Sequence, residues 1–211
     1  MRVEAIIAAG GYASRFDDLG PKSLLTVGQA TLLEMTIRSA LGAGIRRILV
    51  ANNREDFHGE MMRRVSGIAE VDLILDRGYE STYLLVRDTA CLAAARFLFC
   101  YGHAPRPSRI LSAMLTENAP LVACGFQRST KRNLIMYNDE FLEPPFLVDR
   151  DMVLNSYAEG WEGFFAEQPS SLGVIAVDGA PEFNSAIEAE QYRDYLRQLD
   201  EFDQLQGVLA A

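Results

Sequence analysis

Residues 5–31 read AIIAAGGYASRFDDLGPKSLLTVGQAT. An apolar run ends on Gly10-Gly11, Arg15 follows four residues later, and Pro21-Lys22 comes next. Val3 to Ala9 has the length and branching of a buried strand, punctuated by the two glycines. Thr31 to Ala43 then places Leu32, Leu33, Ile37, Ala40 and Leu41 on one helical face, with Thr31 as N-cap and Glu34 three residues on completing a capping box. The loop between that strand and that helix is the stretch that needs a function.

Outward from this block, strands alternate with helices. Ile48 to Ala51 reads as a strand, Asp56 to Val65 as a helix and Val71 to Leu75 as a strand. A helix from Ser81 to Arg96 and a strand from Phe97 to Tyr101 follow, then a helix from Ser108 to Leu115 and a strand from Pro120 to Phe126. Such alternation predicts βαβ units around a mostly parallel sheet. Past residue 127 the pattern weakens. Asn133 to Tyr137 and Gly173 to Val177 read as strands, Asp139 to Pro145 with its paired prolines as a loop, and Ser185 to Gln204 as an outer helix. In an open parallel sheet, ligands bind beyond the carboxyl ends of the strands near the switch in strand order, so the loop after the first strand is where to look.

Composition limits what that loop can hold. The chain has 211 residues, 49% of them apolar, which predicts one domain over 1–211 with one sizeable core. A formal net charge of -9 argues against a nucleic-acid surface, because duplex binding neutralises phosphates over a basic face. A small anionic ligand is still compatible, since only local charge matters in a cleft. No basic-then-apolar leader or membrane-length apolar span is legible, so a cytoplasmic protein is expected, with no membrane partner. Cys91, Cys100 and Cys124 lack paired metal-site or dithiol spacing and read as buried free thiols. Lys22 and Lys131 are the only lysines, all other cations being arginine. Base composition accounts for that bias, yet it makes each lysine conspicuous.

Successive N–H groups in a glycine-rich turn form an anion-binding concavity, and glycine lets the backbone approach a ligand closely. The dinucleotide pattern G-x-G-x-x-G fails, needing glycine where Tyr12 and Ser14-Arg15 stand, and no G-K-[S/T] follows. What remains is a strand, Ala-Ala-Gly-Gly-Tyr-Ala-Ser-Arg, then Pro-Lys-Ser-Leu-Leu-Thr-Val-Gly and a capped helix.

These two linked blocks resemble the nucleotidyltransferase family that makes NDP-sugars and related activated metabolites. The family pattern runs Leu-Ala-(Ala/Gly)-Gly-x-Gly-(Thr/Ser)-Arg, then Pro-Lys-x-Leu-Leu-x-Val. Ala9, Gly10, Gly11, Ser14, Arg15, Pro21, Lys22, Leu24, Leu25 and Val27 fall on it, whereas Ala13 replaces its second glycine. The resemblance implies a single α/β domain of the Rossmann-like GT-A type, with a mostly parallel mixed sheet flanked by helices. It implies transfer of NMP from an NTP to a sugar 1-phosphate or another phosphorylated small molecule, with pyrophosphate released and Mg2+ as cofactor. Arg15 and Lys22 take the catalytic roles in that reading, and Ala8, Ala9, Gly10, Gly11 and Ser14 hold the nucleotide. Ser81 and Thr82 either contact nucleotide or acceptor or simply cap the next helix. Arg128 and Lys131, in QRSTKRN (127–133), either meet the acceptor phosphate or form a solvated loop.

The family's metal positions depart from pattern. Its Gly-Asp after the fourth strand is Gly102-His103 here, and imidazole suits Mn2+ or another softer divalent cation better than Mg2+. Its late second ligand matches Asn184, which with Ser185 and Glu188 reads equally as a helix cap. The rival expectation is a homologue that keeps the fold, binds nucleotide or a protein partner, and has lost transfer. A dinucleotide oxidoreductase ranks below both, because Asn52-Asn53 stand where it wants an acid. A homodimer is left open.

Overall fold

The computed structural model describes residues 2–10, 21–27, 29–52, 55–66, 68, 71–75, 81–127, 135–168 and 170–177. The first strand β1 (Val3–Ala8) is followed by a 3-10 turn at Lys22–Leu24, the short pair β2 (Thr26–Val27) and β3 (Ala30–Thr31), and helix α1 (Leu32–Gly42). The capping box is present: Glu34 N–H donates to Thr31 Oγ1 at 3.2 Å and Thr31 N–H donates to Glu34 Oε2 at 2.7 Å. Removal of such a cap costs about 0.5–2 kcal/mol.

Next come β4 (Ile48–Asn52), α2 (Glu55–Val65), β5 (Val71–Leu75), α3 (Thr82–Ala90), β6 (Arg96–Tyr101), α4 (Ser108–Thr116) and β7 (Leu121–Phe126). The chain then forms β8 (Ile135–Tyr137), β9 (Glu140–Asp149), α5 (Arg150–Leu154), α6 (Trp161–Glu167) and β10 (Leu172–Ala176). The large sheet runs β10-β7-β9-β6-β1-β4-β5, with β8 added to β9. Pairings of β1 with β4 and β6, of β4 with β5 and of β7 with β10 are parallel, and β9 alone runs against its neighbours β6, β7 and β8. This is the expected mixed, mostly parallel sheet.

Alternation along the strands divides the core into two layers. Ile6, Leu49 and Phe99 face α3, α5 and α6 through Tyr83, Val86, Val153, Trp161 and Phe164. Ile7, Val50 and Leu98 face α1, α2 and α4 through Leu33, Ile37, Met61, Leu111 and Met114. Among the described residues no helix is long and apolar enough to cross a membrane.

Three local expectations are corrected. The helix expected over 81–96 stops at Ala90, although Leu92 to Ala95 are good helix formers. Tertiary bonds claim that stretch instead: Ala94 N–H donates to Glu4 Oε2 and Arg150 N–H to Ala95 O. The loop expected over 139–145 is part of the ten-residue β9. Pro144 and Pro145 are accommodated where the β7 pairing shifts, between Ala123 opposite Phe146 and Cys124 opposite Glu143, so the ladder does not require their missing N–H groups. Asn138 and Asp139, both at positive φ, make the two-residue turn into it. Finally, Cys91 is exposed, while Cys100 and Cys124 are buried free thiols as expected. The helix expected over 185–204 lies outside the described residues.

Candidate functional site

The switch in strand order falls between β1 and β6. From β1 the chain builds outward to β4 and β5, then returns to lay β6 on the other side of β1. The carboxyl ends of these two strands therefore open the crevice in which an α/β sheet binds ligands.

Backbone bonds fix the end of β1 on both flanks. Ala9 N–H donates to Ala51 O at 2.8 Å, and Gly102 N–H donates to Ala8 O at 2.8 Å. Ala8 and Ala9 are buried, and Ala9 spends its N–H inside the fold, so this pair anchors Gly10 at the carboxyl end of β1. Gly102 explains the close approach: a Cβ there would lie 3.2 Å from Ala8 O, 3.3 Å from Leu33 Cδ1 and 3.4 Å from Ala9 Cα.

The Pro-Lys-Ser turn is tied to the same point. Ser23, 2% exposed, donates from Oγ to Ala9 O at 2.6 Å, and Leu24 N–H donates to Pro21 O at 2.9 Å. Lys22 thus sits in a short helical turn whose next residue is hydrogen-bonded to the end of β1. Opposite it, His103 occupies the turn directly after β6, its ring stacked on Tyr101 with centroids 5.2 Å apart. The following loop is held down by Arg106, 3% exposed, whose guanidinium lies 5.1 Å from the centroid of Phe126.

Ala8, Ala9, Gly10, Lys22 and His103 are therefore brought to one crevice. Gly11, Ser14 and Arg15 lie outside the described residues, as do Arg128, Lys131 and Asn184. Ser81 is the N-cap of α3: its Oγ accepts from Tyr83 N–H and donates to Glu159 O. Thr82 begins α3. The capping reading of Ser81 holds, and the residue also borders a pocket.

That pocket, about 390 Å³, opens at the same edge of the sheet beside His103's stacking partner. Ser81, Tyr101, Glu143, Phe146, Trp161 and Glu162 are on its wall. Trp161 is backed by Phe99, stacked at 4.9 Å, and by Tyr83, edge-on at 5.0 Å. Burial raises the Tyr83 phenol above its usual range, with the Ser156 hydroxyl acting in the opposite sense. Sequence reasoning reads Tyr137, Phe141, Phe146, Trp161, Phe164 and Phe165 as core or lid packing rather than ligand stacking; the last four are buried, and Tyr137 and Phe141 are half-buried. It missed that Phe146 and Trp161 also present to a cavity, and it missed the roles of Ser23 and Gly102. Ser23 lies in the Pro-Lys-Ser block and Gly102 beside His103, so both carried a local signal. The pocket carried none, because residues 81, 101, 143 and 161 meet only in the fold.

The described donor set does not fit Mg2+. His103 offers a stacked imidazole where a hard oxygen is wanted, and among the described residues no group of three or more His, Cys, Asp or Glu is placed to hold a metal ion.

Comparison with known proteins agrees with the fold. The family model of the MobA-like NTP transferase domain matches residues 5–119, more than half of the chain. No curated protein matches the sequence. Among solved structures, a nucleotidyl transferase from Methanothermobacter superposes with a TM-score of 0.70 at 19% identity, over 97% of this chain and 99% of that one. The 4-diphosphocytidyl-2C-methyl-D-erythritol synthase of Anaerococcus prevotii gives 0.69 at 14% identity, over 93% and 96%. HddC from Yersinia pseudotuberculosis, complexed with GMP-PN, gives 0.63 at 13% identity, over 83% and 90%. Identities this low speak to the shared fold.

Proposed function

The chain belongs to the MobA-like NTP transferase family, and from that premise we propose that it transfers a nucleoside monophosphate from an NTP to a phosphorylated small molecule. The observation that carries this reading is the convergence of Gly10, the Ser23-anchored Lys22 turn and the Gly102-His103 turn at the β1–β6 switch point.

In the reaction, an oxygen of the acceptor phosphate attacks the α-phosphorus. The new P–O bond forms as the bond to the β-phosphate oxygen breaks, and pyrophosphate leaves with that electron pair. Positioning and neutralisation of charge provide most of the rate in such transfers. Gly10 and Gly11, seated by Ala8 and Ala9 and followed by Ser14, offer main-chain groups to base and phosphates. Lys22 neutralises the reacting phosphates and Arg15 the leaving pair. Arg128 and Lys131 meet the acceptor phosphate, while Ser81 and Thr82 lie at the start of α3 on the acceptor side. The acceptor is a sugar 1-phosphate or another phosphoester. The work proceeds in the cytoplasm, with a divalent cation softer than Mg2+ as the candidate for the His103 position.

His103 also supports a second reading, a family member that binds nucleotide without transferring it. Pyrophosphate release separates the two. Incubation of the protein with each NTP, Mn2+ or Mg2+ and a panel of phosphorylated acceptors is expected to release pyrophosphate, and Lys22→Ala to reduce it by roughly 10²-fold. NTP binding without pyrophosphate from any acceptor favours the second reading.

A further inference from the structure

The strand β6 ends in a file of aromatic rings that continues past its last hydrogen bond. Alternation places Phe97, Phe99 and Tyr101 on one face of the sheet and Leu98 and Cys100 on the other. Phe99 is fully buried, stacks on Trp161 with centroids 4.9 Å apart and meets Tyr101 edge-on at 5.2 Å. The half-buried Tyr101 ring is therefore backed by core, and His103 rests on it with planes inclined by 22°.

The main chain around this pair is pinned as well. Tyr101 stands in register opposite Ala8 of β1, and Gly102 N–H donates to Ala8 O at 2.8 Å. Ala104 N–H donates to Tyr101 O at 3.2 Å, which closes a tight turn around His103. These bonds fix where the His103 side chain starts at the crevice, but its direction is set by χ angles that the backbone leaves open. Stacking on a ring that cannot move favours one direction, by about two- to tenfold for an aromatic pair of this kind.

Resting on the nucleotidyltransferase reading, we propose that Tyr101 is a positioning residue of the transfer reaction, its ring holding the His103 imidazole at the nucleotide crevice. Tyr101 touches no reacting atom in this account and acts only through His103. The aromatic face is what the role requires, so phenylalanine should serve in its place and an aliphatic side chain should not.

The test uses the full chain and reads both rings. The chain has two histidines, His58 and His103, so His103→Gln assigns the imidazole C–H signals in a proton NMR spectrum. A stacked ring shields those protons. In the parent and in Tyr101→Phe the His103 signals are expected upfield of their unstacked position, and in Tyr101→Leu they should return to it. Tyr101→Met is a second ring-free variant that keeps an apolar side chain against Phe99.

Calorimetry with Mn2+ and whichever of ATP, CTP, GTP, UTP and dTTP binds the parent most tightly supplies the functional half. Tyr101→Leu and Tyr101→Met should weaken that nucleotide by about three- to tenfold, with Tyr101→Phe within about twofold of the parent. In a His103→Ala background the loss of the Tyr101 ring should cost nothing further, because its effect passes through an imidazole that is no longer there. A residue that only packs would show the same loss in both backgrounds.

His103 signals that do not move in the ring-free variants, a Tyr101→Phe variant as impaired as Tyr101→Leu, or equal losses with and without His103 overturn the proposal. Any of these with NTP binding intact in the parent removes the positioning role alone. A parent that binds no NTP while its His103 signals stay shielded removes the transferase reading, and the role given to Tyr101 falls with it.

Discussion

The imidazole of His103 stacks on the phenol ring of Tyr101, with centroids 5.2 Å apart and planes inclined by 22°. Tyr101 also lines the aromatic pocket, so this pair is the physical join between the crevice at the β1–β6 switch and that cavity. A single substitution can probe the join from its crevice side.

His103→Asp replaces a stacked imidazole by a hard oxygen ligand next to the crevice. Affinity for NTP measured by calorimetry in Mg2+ should rise, by about tenfold. An unchanged affinity in Mg2+ counts against a place for residue 103 at the nucleotide phosphates.

Ser23 acts on Lys22 through the backbone. Ser23→Ala deletes the bond to Ala9 O and leaves that buried region short of a donor, at a cost in stability of about 1–3 kcal/mol. NTP affinity should fall as well, because the turn carrying Lys22 loses its tie to β1. A drop in Tm with NTP affinity intact would make Ser23 a packing residue only.

Gly102 sits where β6 passes the end of β1. Gly102→Ala inserts a methyl 3.2–3.4 Å from Ala8 O, Leu33 Cδ1 and Ala9 Cα, two of them backbone atoms that cannot swing away. Urea unfolding should show a loss of about 1–3 kcal/mol. A variant as stable as the parent would mean that the strand ends separate more readily than their hydrogen bonds imply.

The three thiols should divide by burial. Burial pushes the Cys100 and Cys124 thiols up to about 12, with the neighbouring Cys124 adding to the effect at Cys100 and Arg106 opposing it at both. Cys91 is exposed. At pH 8 a thiol reagent should label one cysteine per native chain and three in denaturant. The same shift has a stability consequence. Since the folded values lie above the unfolded value near 9, these thiols contribute fully below pH 9 and lose that contribution as pH rises towards 12. Denaturant midpoints should therefore be lower at pH 10 than at pH 8, and the difference should shrink in Cys100→Ala/Cys124→Ala.

The first half of the chain was largely legible because its signals are local. Thr31 and Glu34 are three residues apart and form the capping box their spacing predicts. The Gly-Gly and Pro-Lys blocks likewise identified the family, and Ser23 shows how they are joined in space. Past residue 127 the signals become tertiary. Pro144-Pro145 read as loop because a strand pattern cannot reveal a register shift that absorbs them. The five-residue α5 and seven-residue α6 are too short to show a period, yet α6 opens with the tryptophan that makes the pocket wall. Trp161 looked like core, and by burial it is core. Its second role depends on Tyr101 and Phe146, which no spacing connects to it.

The central claim, that the crevice at the end of β1 holds an NTP, is tested most directly by thermal unfolding with each of ATP, CTP, GTP, UTP and dTTP, in EDTA, Mg2+ or Mn2+. A ligand that binds only the folded chain must raise Tm with concentration. The account predicts such a rise for at least one base, lost in Lys22→Ala. A Tm that no nucleotide and metal combination moves, at concentrations up to several millimolar, would contradict it.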